Sequence, residues 1–264
     1  MKIDGIHLRH AGTSGSPVLL LHGIGGSSRS FTSQLPALGE RHRVFAWDAP
    51  GYGGSADPVQ HSGMSGYADS VVGVLDVLGL EGAHLVGVSW GGVIATRAAL
   101  LHPDRVRSLV LADSTRGSGT TPESASRMHA RARERAELGP AEFARRRGPR
   151  LTAPDADPGV VEQVVTIMSE LRATGYAAAV NSMAATDHSD ALQHVSVPTL
   201  VLVGAQDAVT GVDESRALAT GIPGAEFRII PGGHAANQEH PAAFNSAVAD
   251  FLSTVDSAAP VGGA

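Results

Sequence analysis

The chain has 264 residues, of which 42% are hydrophobic and 17% charged, and its formal net charge is -6. This size allows one large domain, and the negative balance gives no reason to expect nucleic acid as a partner. The absence of cysteine excludes a disulfide framework, a thiol nucleophile and a cysteine-ligated metal site. No apolar run approaches the roughly 18 residues that span a bilayer, and the N-terminus lacks the apolar stretch of a signal peptide. We therefore expect a cytoplasmic protein without a membrane partner.

Short apolar runs alternate with amphipathic segments along most of the chain, which is typical of parallel strands joined by helices. An edge hairpin is predicted around Ile3–His10. The predicted strands are Val18–Leu21, Arg43–Asp48, Ala83–Val88, Val106–Ala112, Thr199–Val203 and Glu226–Ile230. The predicted helices are Arg29–Leu38, Ser65–Leu78, Gly91–Leu101, Asp213–Thr220 and Pro241–Thr254. These elements predict an α/β fold, with a mostly parallel sheet of about eight strands and helices on both faces.

The alternation stops between residues 114 and 195, where no strand is predicted and the sequence becomes helical. Residues 196–198 restart the alternation, so this segment is an insertion within one domain. We divide the chain into a first core part, 1–113, the helical insertion, 114–195, and a second core part, 196–256. The small residues 257–264 are expected to form a disordered tail.

A G-x-S-x-G pentapeptide at residues 87–91 follows one predicted strand and opens the next helix. A serine on such a sharp turn is held in a strained conformation that exposes its hydroxyl at the edge of the sheet. The flanking glycines avoid collisions with the neighbouring strand and helix. Ser89 is therefore the candidate nucleophile, and the alternative is a glycine-rich turn with an incidental serine.

A serine hydroxyl needs a base to remove its proton, and the chain has twelve histidines. His234 is favoured because it follows the last predicted strand in a glycine-containing loop, whereas most other histidines lie near helix ends or in the insertion. Asp207 ends the run that begins with the preceding strand, and we predict that it orients the imidazole. Asp113, at the end of another strand, is the alternative acid.

The glycine-rich loop at residues 22–26 follows an early strand and allows close approach of a substrate. We expect the backbone N–H groups of Ile24 and Trp90 to form the oxyanion hole. The predicted substrate contacts are His22, Gly23 and Gly25. A plain turn or a phosphate loop is the alternative, but no Lys-Ser/Thr pair follows these glycines. Neither a metal nor an organic cofactor is predicted.

Several landmarks together make the sequence resemble α/β-hydrolase fold enzymes over nearly its whole length. They are His22-Gly23, the turn at residues 48–55, the elbow at residues 87–92, the segment from Gly204 to Asp207, and Gly233-His234. The chain order serine, aspartate, histidine is also the order expected in this fold. The resemblance implies a structural role for Asp48 and a helical cap formed by residues 114–195. Small bacterial esterases and lactonases, such as 3-oxoadipate enol-lactonase, are the most similar group.

This resemblance implies a serine hydrolase that cleaves a carboxylic ester or lactone of a small molecule through an acyl-enzyme. Carbon-carbon bond hydrolysis ranks second, because the loop after Gly23 lacks the Ser-Gly-Pro-Gly sequence of many such enzymes. Perhydrolysis by the same triad, or a non-catalytic ligand-binding homologue, are the further alternatives. Trp90 stands where lactonases often carry methionine, and its bulk is expected to narrow the acyl pocket. The sequence leaves open whether the chain forms a homo-oligomer.

The first half of the insertion is rich in arginine, although the protein as a whole is acidic. These residues are Arg127, Arg131, Arg133, Arg135, Arg145, Arg146, Arg147 and Arg150. A solvated helix face is the favoured interpretation, and recognition of a substrate carboxylate is the alternative. Apolar residues of the insertion either form the core of the cap, which is favoured, or line the pocket. They are Met128, Phe143, Leu151, Met168, Leu171, Tyr176 and Met183.

Overall fold

The computed structural model describes residues 1–57 and 63–258, and eight strands within them form one sheet. The strands are β1 (Lys2–Ile3), β2 (Ile6–Ala11), β3 (Pro17–Leu21), β4 (Arg43–Trp47), β5 (Ala83–Val88), β6 (Val106–Ala112), β7 (Thr199–Gly204) and β8 (Glu226–Ile230). Their order is β1-β2-β4-β3-β5-β6-β7-β8. The pairs β1-β2 and β2-β4 are antiparallel and all other pairs are parallel. The predicted α/β fold with a mostly parallel sheet is confirmed.

Helices cover both faces of this sheet. They are α1 (Gln34–Gly39), α2 (Gly63–Val77), α3 (Trp90–Leu101), α4 (Pro122–Arg147), α5 (Pro158–Ser169), α6 (Ala173–Ala184), α7 (Gly211–Gly221), α8 (Ala236–Glu239) and α9 (Pro241–Ala258). The predicted helix Arg29–Leu38 is wrong, because a 3-10 turn at Ser28–Phe31 precedes the shorter α1. Pro36 explains the break. In a continuous helix its ring would clash with the carbonyl of Thr32, but it is tolerated in the first turn.

The C-terminal boundary also differs from the prediction. Helix α9 continues to Ala258, so Ser257 and Ala258 are helical and do not belong to a disordered tail. The rest of the predicted tail, residues 259–264, lies outside the described residues. Across residues 1–57 and 63–258, we find no helix whose length and apolar character would let it cross a membrane.

The side chains of the central strands alternate between two hydrophobic clusters. In β3, Leu19 and Leu21 join a cluster with α2 and α3, whereas Val18 and Leu20 join a second cluster with α1 and α9. Successive residues of a strand point to opposite faces, so burial on both faces requires a nearly continuous apolar sequence. This arrangement fixes the carboxyl ends of β3, β5, β7 and β8 along one edge of the sheet, where the loops that carry the candidate site begin.

Three helices, α4, α5 and α6, form the connection between β6 and β7. Helix α4 is broken at Gly139, whose φ of 75° and ψ of 165° are not helical, and Pro140 follows it. The positive φ favours glycine at this position, and the proline begins the second half of the helix. The break changes the direction of the arginine-rich segment partway along its length.

Candidate active site

Ser89 lies in the turn between β5 and α3 with a φ of 54° and a ψ of -117°. A Cβ atom added at Gly87 would come within 2.4 Å of the carbonyl carbon of Gly91. One added at Gly91 would lie 2.0 Å from the carbonyl oxygen of Leu21. Both contacts are far inside van der Waals distance, so this tight turn requires glycine on each side of the serine.

The three predicted residues form one hydrogen-bonded chain. His234 Nε2 lies 3.0 Å from Ser89 Oγ, and His234 Nδ1 lies 3.0 Å from Asp207 Oδ2. Asp207 Oδ1 accepts a hydrogen bond of 2.7 Å from the N–H group of Val209 and one of 3.1 Å from that of Thr210. The loops after β5, β7 and β8 thus bring together the candidate nucleophile, base and acid, which are distant in the sequence.

Two carboxyl groups at this edge of the sheet have opposite electrostatic environments. Burial alone would raise the pKa of Asp207, but the nearby His234 and the hydrogen-bond donors around the carboxylate lower it to about 2. For Asp113, burial and the charge of Asp207 raise the pKa well above its ordinary value. Asp113 Oδ1 accepts a 2.7 Å hydrogen bond from the N–H group of Gly204. The geometry therefore favours Asp207, the ionised group, as the partner of His234.

Ile24 and Trp90, whose backbone N–H groups are the predicted oxyanion hole, border the same cavity as Ser89. Trp90 is the first residue of α3, so its N–H group has no acceptor within the helix and lies at the positive end of the helix dipole. A Cβ atom at Gly23 would lie 3.3 Å from the Cβ atom of Ser89. Glycine at position 23 lets this loop pack closely against the serine.

His22 is fully buried, and both of its ring nitrogens have partners in the protein. Its Nε2 atom accepts a 3.1 Å hydrogen bond from the N–H group of Ala49, and its Nδ1 atom lies 2.8 Å from the carbonyl oxygen of Gly23. This pattern assigns the ring proton to Nδ1, and burial lowers the pKa of His22. Through these two hydrogen bonds, the neutral imidazole of His22 stabilises the conformation of the loop at residues 22–26. Gly25 lies beneath the cap, since a Cβ there would come within 2.7 Å of Met168 Cε.

The side chain of Trp90 is fully buried and packs edge-on against Tyr67, with ring centroids 4.7 Å apart. Its Nε1 atom donates a 3.1 Å hydrogen bond to Ser182 Oγ on α6. The ring has no exposed surface although the residue borders the cavity, and the narrowing of the acyl pocket stays a prediction. Trp90 joins the core to the cap beneath the site.

Ser89, the candidate nucleophile, borders a cavity of about 410 Å³ between the sheet edge and helices α4–α6. Of the seven apolar residues considered for its lining, five border it: Met128, Leu151, Met168, Tyr176 and Met183. Phe143 and Leu171 instead lie among the hydrophobic residues packed beneath the cap. Sequence alone could not separate these groups, because the choice depends on how the three helices pack.

Glu239, to which the sequence assigned no role, connects the loop of the base to the cap. Its Oε1 atom accepts a 2.9 Å hydrogen bond from the N–H group of Gly233, and its Oε2 atom accepts one of 2.8 Å from that of Ala153. The N–H group of Ala235 also donates a 2.7 Å hydrogen bond to the carbonyl oxygen of Leu151. We call this arrangement the Glu239 clamp. The position of Glu239 five residues after His234 was the only signal in the sequence.

Comparison with known proteins agrees with this fold. The model of a family described as having the alpha/beta hydrolase fold matches residues 16–241, and the chain belongs to this α/β-hydrolase family. The protein is a hydrolase.

Three similar proteins illustrate the family. The chain is 28% identical to 3-oxoadipate enol-lactonase 2 of Acinetobacter baylyi over 90% of this chain and 89% of the relative. It is 30% identical to a 2-hydroxy-6-oxononadienedioate/2-hydroxy-6-oxononatrienedioate hydrolase of Cupriavidus pinatubonensis over 94% of this chain and 90% of the relative. A thermophilic esterase of Thermogutta terrifontis, solved with malate bound, is 32% identical with a TM-score of 0.88, covering 95% of this chain and 93% of the esterase.

Proposed function

We propose that this protein hydrolyses a carboxylic ester or lactone of a small molecule through an acyl-enzyme on Ser89. The hydrogen-bonded chain of Ser89, His234 and Asp207, whose first two members border the cavity, carries the proposal. The enol-lactonase and the esterase named above support this substrate class, because both match nearly the whole chain.

The first half of the reaction forms the acyl-enzyme. His234 Nε2 takes the proton of Ser89 as its oxygen attacks the carbonyl carbon, and Asp207 stabilises the resulting imidazolium. The negative charge that develops on the carbonyl oxygen is held by the backbone N–H groups of Ile24 and Trp90. The tetrahedral intermediate then collapses as the carbon–oxygen bond of the ester breaks, and His234 gives its proton to the leaving alkoxide.

The second half uses the same groups with water as the nucleophile. His234 accepts a proton from water as the oxygen attacks the acyl carbon, and the same two amides hold the oxyanion. Collapse of the second intermediate breaks the bond to Ser89 and returns the proton to its oxygen. The carboxylic acid is released and the site regains its starting state. When the substrate is a lactone, the leaving alkoxide and the acyl group belong to the same molecule, so the product is a single hydroxy acid.

Carbon-carbon bond hydrolysis is the second candidate, because the Cupriavidus relative is named as a hydrolase of an oxononadienedioate. The triad is common to both reactions, so a substrate panel separates them. The panel contains short esters, lactones and vinylogous diketones, each compared by kcat/KM. Preference for the diketones by more than tenfold would replace the ester and lactone proposal with this alternative.

The test of the catalytic serine is Ser89→Ala assayed with a short p-nitrophenyl ester. We expect kcat to fall by on the order of 10^4 or more, because the nucleophile is lost. Ser118→Ala is the matched control, since this serine borders the same cavity. A fluorophosphonate probe should label the wild type and the control but not Ser89→Ala. Turnover or labelling retained in Ser89→Ala would disprove the proposal, and an unreactive wild type would favour a ligand-binding protein.

A further inference from the structure

Three arginines of the cap border the cavity that contains Ser89. Arg127 and Arg131 are four residues apart on α4 and so lie on the same side of the helix, and Arg147 ends the helix beyond the break at Gly139. Arg133, Arg145 and Arg146 are exposed and do not border the cavity. The interpretation of the arginines as a solvated helix face thus holds for one set of them, whereas Arg127, Arg131 and Arg147 form a separate cluster, the cavity arginines.

The cavity arginines also border a second groove, of about 940 Å³, which is lined by residues of the cap and of the loop after β7. Leu151 and Val209 are likewise shared by the two spaces, so the cluster lies where the groove meets the catalytic cavity. Arg150 adds a fourth cation to the groove, and Glu134 is the acidic residue in its lining. A molecule that passes between the groove and Ser89 therefore passes beside the cavity arginines.

Other arginines in this part of the chain have carboxylate partners. Arg145 and Arg146 pair with Glu142 at 2.7 Å each, and Arg116 pairs with Glu214 at 2.8 Å. Among the residues that the structure describes, no ion pair involves Arg127, Arg131 or Arg147. Glu214 also borders the catalytic cavity, but Arg116 already occupies its carboxylate.

Arg131 is the most constrained member of the cluster. It is half-buried, and burial together with the charges of Arg147 and Arg127 lowers its pKa to about 10, although Glu134 and Tyr176 oppose this effect. Like charges held close together and partly removed from water are unfavourable unless an anion compensates them. The rest of the lining is mixed, with hydroxyl residues such as Ser118 and Thr121 beside three methionines, Met128, Met168 and Met183.

We propose that the natural substrate carries a carboxylate at a distance from the bond that is cleaved, and that Arg131, flanked by Arg127 and Arg147, binds it. This inference rests on the proposed function, because it places the scissile carbonyl at Ser89. A guanidinium group binds the planar carboxylate through two parallel hydrogen bonds. The three methionines of the lining contact the carbon chain, and the cavity arginines bind the charged end.

The first experiment compares two substrates with the same scissile ester: 4-nitrophenyl hydrogen glutarate, which has a free carboxylate, and its methyl ester, in which a methyl group removes that charge. Since hydrogen bonds to charged groups are strong, we expect wild-type kcat/KM to be about 10- to 100-fold higher for the anionic ester. Arg131→Met should lower kcat/KM for the anionic ester far more than for the neutral ester, and so remove most of this preference. Arg131→Lys should restore part of it, because the charge remains while the paired hydrogen bonds are lost.

Arg133→Met is the matched control, since Arg133 is an exposed arginine on the same helix. It should leave the ratio of the two kcat/KM values unchanged. Arg147→Met provides a second test if Arg131→Met fails to fold. Equal rates for the two esters in the wild type, or an equal loss for both in Arg131→Met and Arg147→Met, would overturn the inference.

A binding measurement separates this inference from the proposed function. Glutarate is titrated calorimetrically into Ser89→Ala protein, with and without Arg131→Met. Binding that depends on Arg131 supports the carboxylate site even if neither ester is hydrolysed, and that result would overturn only the proposed function. Hydrolysis that depends on Ser89 without discrimination between the esters would support the proposed function and overturn the carboxylate site.

Discussion

Two Ser-His-Asp hydrogen-bond chains lie at opposite edges of the same sheet. At the carboxyl edge, His234 joins Ser89 and Asp207 at 3.0 Å each. At the amino edge, His84 Nδ1 lies 2.7 Å from Ser108 Oγ, and His84 Nε2 lies 3.1 Å from Asp256 Oδ1. By residue type and distance the two chains are nearly equivalent.

Their surroundings are different. Ser108 is fully buried within β6. The hydrogen bonds through His84, on β5, and Asp256, on α9, connect these two elements to β6. Ser89 lies in a strained turn beside a helix N-terminus, a glycine loop and a cavity. Three hydrogen-bonded side chains therefore do not by themselves define an active site. The turn, the free amides and the space for a substrate distinguish a candidate nucleophile from a structural serine.

The largest expected difference between the two edges concerns their aspartates. Asp207→Asn should lower kcat by roughly 10^4-fold, as loss of the orienting carboxylate does in a catalytic triad. The backbone donors at Val209 and Thr210 hold Oδ1, so the new amide would present its NH2 group to His234 and favour the wrong tautomer. Steady-state kinetics with the ester used for Ser89→Ala measures this.

The control for that prediction is Asp256→Asn, which should leave kcat unchanged at temperatures where the variant is folded. Asp113→Asn tests the alternative acid, and it should also retain activity because an amide oxygen can accept the hydrogen bond from Gly204. A loss in Asp113→Asn as large as that in Asp207→Asn would move the role of the acid to Asp113.

The second difference concerns the pH dependence of stability. Burial lowers the pKa of His84 from 6.5 to about 4, although Asp256 opposes this effect. Above pH 6.5 the group is neutral in both states, and as the pH falls from 6.5 to 4 only the unfolded chain takes up the proton. The free energy of unfolding should therefore decrease over this window, by on the order of 3 kcal/mol from His84. Asp207, with a pKa of about 2, stays ionised throughout it.

Urea denaturation of the wild type and of His84→Gln between pH 4 and 7 measures this contribution. The difference in unfolding free energy between the two proteins should change with pH in this window. His188 is also buried with a lowered pKa, so the wild type alone does not isolate the effect. His102→Gln, at an exposed ion pair with Asp69, is the control and should leave the pH dependence as it is. If the difference in unfolding free energy between the wild type and His84→Gln stayed constant between pH 4 and 7, the prediction would be contradicted.

The smallest effect is expected for Ser108→Ala. Removing the hydroxyl leaves a ring nitrogen of the buried His84 without its partner, which should lower the free energy of unfolding by about 2 kcal/mol. Activity and fluorophosphonate labelling should equal those of the wild type. Ser257→Ala, at an exposed position of α9, should cost much less. Loss of labelling in a folded Ser108→Ala protein would mean that the amino-edge serine is reactive.

The sequence predicted the sheet. It also predicted that the three candidate residues lie close together, because each is in a loop directly after a strand. Parallel strands place these loops at one edge, so the chain positions of Ser89, Asp207 and His234 already imply their proximity. The split of the predicted helix Arg29–Leu38 was also recognisable, since Pro36 carries a local signal. Features that depend on strand direction or on the backbone restriction of a proline can therefore be predicted from the sequence.

Features that depend on side-chain packing were not accessible in the same way. The burial of Trp90 results from contacts with Tyr67 and Ser182, which come from two separate helices. The division of the arginines into those that border the cavity and those that do not follows from the break at Gly139 and from the packing of the cap. No local pattern distinguishes Arg131 from Arg133, although only Arg131 borders the cavity.

The Glu239 clamp has a consequence for recombining this protein with its relatives. One carboxylate joins the amides of Gly233 and Ala153, so the loop of the base and residues 151–153 of the cap form one structural module. A chimera that exchanges the whole insertion would cut through this module and disturb the position of His234. We expect cap exchanges to remain active when the junction leaves residues 148–153 with the parent core, so that the clamp is inherited intact.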